Sequence, residues 1–355
     1  MPDGTATMQD PRLLADRWQA YKQANPRSRT RDTAAALGVS EGELLATLVG
    51  GGVTGQGAAT RLLPRWKALV EALPRLGTIM ALTRNEHCVH EKTGRFDQVQ
   101  VSDMGGVVLD PEIDLRIFFS RWHHGFALTE AEGRRSLQFF DADGTAVHKI
   151  YLKQDGGEAV FDALVTEFAA AEQQPGLQVS AAREIAADQP DSEIDAAKLT
   201  EEWRALKDTH DFFGLLKRHG AGREQAFRLV PDEFAREVPR LAFSKALALA
   251  AERKLPIMVF VGSPGVIQIH TGPVERVQAM GPWQNVLDPT FNLHLMEPGI
   301  ARCWLVRKPT TDGIVTSLEI YDAKGQQIAW MFGARKPGVP EKAEWPVLAG
   351  AACQP

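Results

Sequence analysis

Apolar residues return every three or four positions over 13–24, then over 33–37 and 41–48, with Gly38 and Ser40 between the last two. That period places one apolar stripe along a helix, so the spacing predicts helices there. Gly50-Gly51-Gly52 closes this region, and 65–73 reads as a further amphipathic helix ending at Pro74. From 78 to 152 the pattern changes to short alternating runs separated by turn residues. IMALTR, FDQVQV, LRIFF, FALTE, RSLQFF and AVHKIYL read as strands, with Asp141-Ala142-Asp143-Gly144 as a hairpin turn. Successive short strands with tight turns predict an antiparallel sheet. A helix over 159–171 closes this stretch.

The second half of the chain repeats the first. IMALTRNEHCVHEKTGRFDQVQ at 79–100 lines up with IMVFVGSPGVIQIHTGPVERVQ at 257–278. Asp110-Pro111 lines up with Asp288-Pro289, Ser136-Leu137 with Ser317-Leu318, and RWQAYK at 17–22 with EWRALK at 202–207. A repeat this long is a duplicated domain rather than a short-period solenoid. The predicted fold class is therefore α+β, a tandem duplication in which each half is a helical cap on a large antiparallel β-sheet. The expected domains are 1–180 and 190–355, joined by the polar, proline-bearing stretch 172–195. Helices are expected over 199–253, with breaks near His210 and Gly220-Ala221-Gly222. Strands follow from Pro256, with a hairpin at Asp322-Ala323-Lys324-Gly325, and the tail after Pro337 reads as irregular.

At 355 residues each half is long enough to bury its own core. A formal net charge of −5 argues against nucleic-acid binding over the whole surface. The start of the sequence has neither a basic segment nor an apolar one, and no apolar run is long enough to span a bilayer. The 3 cysteines form no CxxC pair, which points to a reducing cytoplasm. No dinucleotide fingerprint, P-loop or nucleophile elbow is present.

A duplicated scaffold can carry one function where its halves differ. His210 follows the Trp-containing helix of the second half, where the first has Asn25. In DTHDFFG it could be a metal-binding imidazole walled by phenylalanines. It could equally be a core histidine or a cationic cap at a helix C-terminus. Arg116 and Phe118 share one face of a strand, opposite Leu115 and Ile117. Arg116 would then either meet a ligand or pair with Asp114 or Glu112. Arg223, Lys308 and Arg335 are cations that could gather at a pocket mouth, or solvated surface charges. His87-Cys88-Val89-His90 has poor chelating geometry in a strand, because positions three apart face opposite ways. The segment 31–41 has the small residues, glycine turn and serine cap of a helix-turn-helix. Its would-be recognition helix, SEGELLATLV, carries no base-reading side chain.

Taken together, RDTAAALGVSEGELLAT (31–47), TRNEHCVHEKTGRF (83–96), DLRIFFSRW (114–122), WRALKDTHDFF (203–213), LDPTFNLHLM (287–296) and FGARKPG (332–338) resemble the HemS/ChuS/PhuS family. These are bacterial cytoplasmic haem-handling proteins, also called haemin-degrading factors, and the resemblance covers nearly the whole chain. It implies two α+β repeats with haem b bound in a cleft between them. It also implies His210 as axial iron ligand and Arg116 as the distal arginine, the candidate catalytic residue, with Phe118 beside it. Arg223, Lys308 and Arg335 fall at the family's basic positions, and Phe260 at a pocket aromatic. His219 is the alternative ligand. Trp330 stands where a polar residue is commoner in the family. The implied function is haem uptake and iron utilisation, with delivery to a haem oxygenase and transient contacts to that enzyme and to a haem importer. The alternative is cleavage of the bound haem, with O2 and an external electron donor. A haem-responsive DNA-binding regulator is the third reading, disfavoured by the acidic second helix.

Overall fold

The computed structural model describes residues 10–51, 55–182, 187–336 and 338–354. Part of the predicted glycine turn, at 52–54, lies outside them, as does 183–186 of the expected linker. The first half runs α1 (Pro11–Ala24), α2 (Thr30–Leu37), α3 (Glu41–Ala46), β1 (Ala58–Arg61), α4 (Trp66–Ala72), β2 (Ile79–Arg84), β3 (Cys88–Gly94), β4 (Val99–Val101), β5 (Gly105–Leu109), β6 (Asp114–Phe118), β7 (His124–Thr129), β8 (Arg135–Phe140), β9 (Ala146–Leu152) and α5 (Glu158–Phe168). The second runs α6 (Ala196–Arg204), α7 (Asp211–His219), α8 (Arg223–Leu229), β10 (Ala235–Val238), α9 (Ala242–Glu252), β11 (Ile257–Gly262), β12 (Val266–Gly272), β13 (Val277–Met280), β14 (Trp283–Leu287), β15 (Phe291–Met296), β16 (Arg302–Thr310), β17 (Gly313–Tyr321), β18 (Gln327–Gly333) and α10 (Glu344–Ala352).

The chain forms two compact units. Unit 1 comprises Met1–Arg84, Glu91–Glu184 and Ser263–Gln268; unit 2 comprises Asn85–His90, Ile185–Gly262 and Ile269–Pro355. Each unit thus incorporates six residues from the other half, and the two segments are equivalent in the repeat. In unit 1 the backbone N–H of Phe118 and the indole of Trp122 both donate to the carbonyl of Gly265, at 2.9 and 3.2 Å. A Cβ at Gly265 would come within 2.7 Å of Val147, so close approach requires glycine there. In unit 2 the Asn85 amide donates to the carbonyls of Gly262 and Ile328, at 3.2 and 2.7 Å.

In unit 1 antiparallel pairing gives the order β1-β7-β8-β9-β2. A separate ladder joins β4, β5 and β6. Alternation along the strands makes both faces of the main sheet apolar. Leu137, Phe139 and Ile150 pack with α4 and α5 residues Leu69, Val70, Phe161 and Leu164 on one side. Phe126, Leu128 and Phe140 pack with Leu14, Trp18, Leu44 and Leu45 on the other. Helices therefore cover both faces, where the sequence suggested a cap. The strands of unit 2 run β10-β16-β17-β18-β11, and a separate ladder joins β13, β14 and β15. Leu305, Leu318, Ile320 and Met331 pack with α9 and α10, and Trp304, Val306 and Tyr321 with α6–α8.

The tail is a correction. Residues 344–352 form α10, with Trp345, Leu348, Ala349 and Ala352 buried at helical spacing. Pro346 sits in the first turn, where its missing N–H leaves no bond unmade, and the nearby prolines hid this stripe. The expected linker is partly anchored too: the Gln173 side chain and the carbonyl of Gly176 bond Arg61 at 2.8 and 2.6 Å. Both hairpin turns form as expected, with Gly144 and Gly325 in the left-handed region at φ 78° and 74°. In α3, Glu41, Gly42, Leu44, Leu45 and Ala46 are buried. The would-be recognition helix is spent on the core and has no free face for a DNA groove.

One buried polar pair distinguishes the units. In unit 1 Thr83 Oγ1 lies 2.9 Å from Nδ1 of the buried His148, whereas unit 2 has Val261 and Ala329 at the equivalent register. Burial lowers the His148 pKa from 6.5 to about 3, so the folded state holds it neutral. A depressed histidine pKa contributes stability that is complete above the unfolded value and lost as pH falls toward the folded one. Between pH 6.5 and about 3, this group should remove about 1.4 kcal/mol of unfolding free energy per pH unit. Denaturant titrations across that window should show a shallower acid slope for His148→Gln than for wild type. Equal slopes would contradict the assignment.

Candidate functional site

His210, Arg223, Phe260, Lys308 and Arg335 all belong to unit 2. His210 is the N-cap of α7, with helical φ and ψ of −69° and −25°. The cationic-cap alternative therefore fails, because the N-terminal end of a helix repels a cation. The core alternative fails as well, since the side chain is 84% exposed. Its Nδ1 lies 2.6 Å from Asp208 Oδ1, and the same oxygen accepts the His210 backbone N–H at 2.8 Å. These two bonds hold the Asp208 carboxyl below its usual range. An ionised carboxylate only accepts, so Nδ1 carries the proton in this pair and a neutral ring presents the lone pair of Nε2. The spacing Asp-x-His was the available sequence signal for Asp208, and it went unread.

The segment bearing this pair is tied to the turn between β16 and β17. Thr311 donates to the Lys207 carbonyl through its backbone N–H at 3.0 Å. Arg335 contacts Asp312 in the same turn at 3.0 Å and adds a favourable charge near Asp208. One turn into α7, Phe213 is 75% exposed while Phe212 is buried. His219, the alternative ligand, is buried at the far end of α7 with Nε2 3.3 Å from Glu202. A left-handed Gly220 caps that end.

Beneath α7 lies a buried charge cluster. Glu319, 0% exposed, accepts from Arg223 at 2.8 and 2.9 Å, Lys308 at 3.1 Å, Ser317 at 3.0 Å, Tyr321 at 3.1 Å and Gln327 at 2.9 Å. Burial alone would raise its pKa, but Arg223 and Lys308 together hold it well below the usual carboxylate range. Burial lowers Lys308 to about 8 despite its carboxylate partner. Arg223 resists desolvation because Glu319 faces it, and stays above its ordinary value. Both cations also lie over the ring of Phe212, at 5.1 Å for Arg223 and 4.6 Å for Lys308. Lys308 is thus a buried member of this network and Arg223 a half-buried one, and neither is a solvated surface charge.

Cross-strand register continues this row. Glu319 is opposite Trp330, and Trp330 opposite Phe260. Phe260 stacks on Trp330 at 5.3 Å and meets Phe332 edge-on at 5.2 Å. All three aromatics are half-buried. They form an apolar shelf on the sheet face that also carries Glu319.

Arg116 and Phe118 belong to unit 1. Leu115 and Ile117 are the buried face of β6, which leaves Arg116 and Phe118 on the other, with Phe118 43% exposed. The Arg116 guanidinium pairs with Asp114, one of the two partners the sequence offered. Burial raises the Asp114 pKa, with Arg116 opposing.

Residues 38–168 and 220–351 each match the family model described as the haemin-degrading HemS.ChuX domain. The chain is a member of that family. It is 40% identical to the hemin transport protein HmuS of Yersinia pestis, over 94% of this chain and 96% of that one. Holo-PhuS, a heme-binding protein from Pseudomonas aeruginosa, superposes with a TM-score of 0.92 at 50% identity, covering 96% of this chain and 98% of the other. The heme degrading enzyme ChuS of Escherichia coli O157:H7 gives 0.87 at 37% identity, covering 96% and 99%.

The Asp208 contact makes a direct prediction. Above neutral pH, nitrogen-15 NMR of His210 should show the proton on Nδ1 in wild type and a mixture of tautomers in Asp208→Ala. A wild-type ring protonated at Nε2 would contradict the geometry.

Proposed function

We propose that this chain binds one haem through His210, in the service of haem uptake and iron utilisation, and hands it to a haem oxygenase. The observation that carries the reading is the exposed His210 imidazole, tethered through Nδ1 to Asp208 so that Nε2 is left for iron. Family membership and the haem-related names of HmuS and PhuS support the same ligand. Unit 2 carries surfaces that suit a flat, apolar, dianionic molecule. Phe213 and the Phe260–Trp330–Phe332 shelf offer aromatic surface. Arg223 and Lys308 against the single carboxylate of Glu319 leave one positive charge in excess, which a ligand carboxylate would balance.

Cleavage of the bound haem is the second reading, and the likeness to ChuS, described as a heme degrading enzyme, is what favours it. In that reading Arg116 is the catalytic residue, with electrons from an external donor. Carriage is preferred because Arg116 is already engaged by Asp114. The Phe260–Trp330–Phe332 shelf also supplies no carboxyl or hydroxyl group to handle a proton. In the carrier reading the protein works in the cytoplasm, and its transient partners are the oxygenase and the haem importer. Among the described residues no helix is long and apolar enough to cross a membrane.

A haemin titration followed by absorption, on wild type and His210→Ala together, tests the ligand. Wild type should saturate at one haem with a Soret shift that the variant loses or alters, with affinity down by on the order of a hundredfold. Identical spectra from both proteins would sink the assignment. Transfer to a haem oxygenase faster than free dissociation supports carriage. Turnover with a physiological reductant that survives added catalase would move the conclusion to the enzyme.

A further inference from the structure

The two repeats differ at more than the ligand. At the register where unit 2 has Glu319, unit 1 has Gln138, which bonds Ser136 at 3.0 Å. The first residue of α8 is Arg223, whereas the first residue of the matching α3 is Glu41, which pairs with Lys149. Lys149 in turn occupies the register of Trp330. In unit 1 this layer holds the Glu41–Lys149 pair, with Arg61 over the ring of Phe126 on the same face. Among the described residues, this layer holds Arg223 and Lys308 on one buried carboxylate in unit 2, where unit 1 has the single pair Lys149–Glu41.

That grip reaches the candidate ligand by a short route. Arg223 and Lys308 lie over Phe212, and Phe212 stands two residues after His210 in the first turn of α7. Phe212 is further held by Trp203 at 4.5 Å, edge-on, and by Phe227 at 6.2 Å, stacked. A phenyl ring enclosed by cations and aromatics has little freedom to rotate or shift. The ring's position sets where the α7 backbone begins, and therefore where the His210 side chain projects.

We propose that Glu319 is a positioning residue for His210: its carboxylate holds Arg223 and Lys308 against Phe212, and this fixes the first turn of α7. The proposal rests on the reading of His210 as the haem ligand. Glu319 itself makes no contact with His210; it acts through the two cations and one ring. With the carboxylate gone, the cations repel each other and leave the ring, and the start of α7 samples several orientations.

The experiment is a double-mutant cycle on the full chain, read as haemin affinity and as the iron–histidine stretching band of the ferrous complex. The variants are Glu319→Gln, Phe212→Leu and the pair together. Each single change should weaken haemin binding on the order of tenfold and broaden the band, and the pair should do little more than either alone. Hydrogen exchange should rise in the peptide around 208–216 while α10 stays protected, separating a local effect from general unfolding. Should Glu319→Gln not fold, Glu319→Asp carries the same cycle, because it keeps the charge but withdraws it by one methylene. Wild-type affinity and an unchanged band in the Glu319 variant would overturn the proposal. Additive losses would overturn it as well, since Glu319 would then act by a route that bypasses Phe212. Wild type and His210→Ala run alongside: if wild type shows no His210-dependent spectrum, the ligand reading has failed, and not merely this one.

Discussion

A sheet whose two faces are both apolar must have both faces covered, and that constraint arranges each unit of this chain. In unit 2, α9 and α10 take one face through Leu305, Leu318, Ile320 and Met331. The opposite face is taken by α6–α8 only where Trp304, Val306 and Tyr321 stand. Along the same row the strands continue past Glu319 to Trp330 and Phe260, which remain half-buried. Exposed aromatic surface of this kind is costly to leave in water, at roughly 25 cal/mol per Å². A ligand with a flat apolar face recovers part of that cost. The shelf is therefore a consequence of sheet width exceeding helix coverage.

Glu319 sits at the seam between the covered and uncovered parts of that face. A carboxylate with no exposure is strongly unfavourable unless every lone pair is used. Here it receives Arg223, Lys308, Ser317, Tyr321 and Gln327. Satisfying it draws side chains from α8, β16, β17 and β18 to one point. A purely apolar filling of the same space could match the packing and would lack that directionality. It would also lack the excess positive charge of two cations on one carboxylate.

Much of the fold was legible because its signals are local. The alternation in IMALTR, RSLQFF and AVHKIYL gives β2, β8 and β9 at the expected bounds. The Asp-x-x-Gly turns form because glycine alone readily takes their left-handed position. The elements that escaped reading carry weak local signals. Neither β1, AATR, nor β10, AREV, has an apolar alternation of its own, and each is made a strand by the ladder it joins. In β5 two glycines suppress strand propensity, yet a Cβ at Gly105 would lie 2.2 Å from the Ile117 carbonyl. Tertiary crowding chose the residue there. His210 could be singled out because the halves could be compared, but its capping position could not be read. The Glu319 network joins Arg223 to a residue 96 positions away, and no local pattern encodes such a meeting.

The duplication allows the two halves to be compared position by position. Both repeats keep the same helix caps: the N3 side chain reaches back to the N-cap N–H from Glu43 to Ser40 and from Gln225 to Gly222. Both end the preceding helix on a left-handed glycine, Gly38 and Gly220. The backbone frame at these caps is therefore held in common, and the differences nearest His210 are in side chains. Asn25 stands against His210, Gln138 against Glu319, Glu41 against Arg223 and Lys149 against Trp330. The changes at the buried charges would each harm their own unit, because Glu319 without Arg223 and Lys308 is an unpaired buried charge, and Lys149 without Glu41 is another. Those charged positions are coupled through burial, whereas the exposed His210 is not. A lone histidine grafted onto unit 1 at Asn25 would lack the clamp beneath it, and a ligand by itself does not make the site.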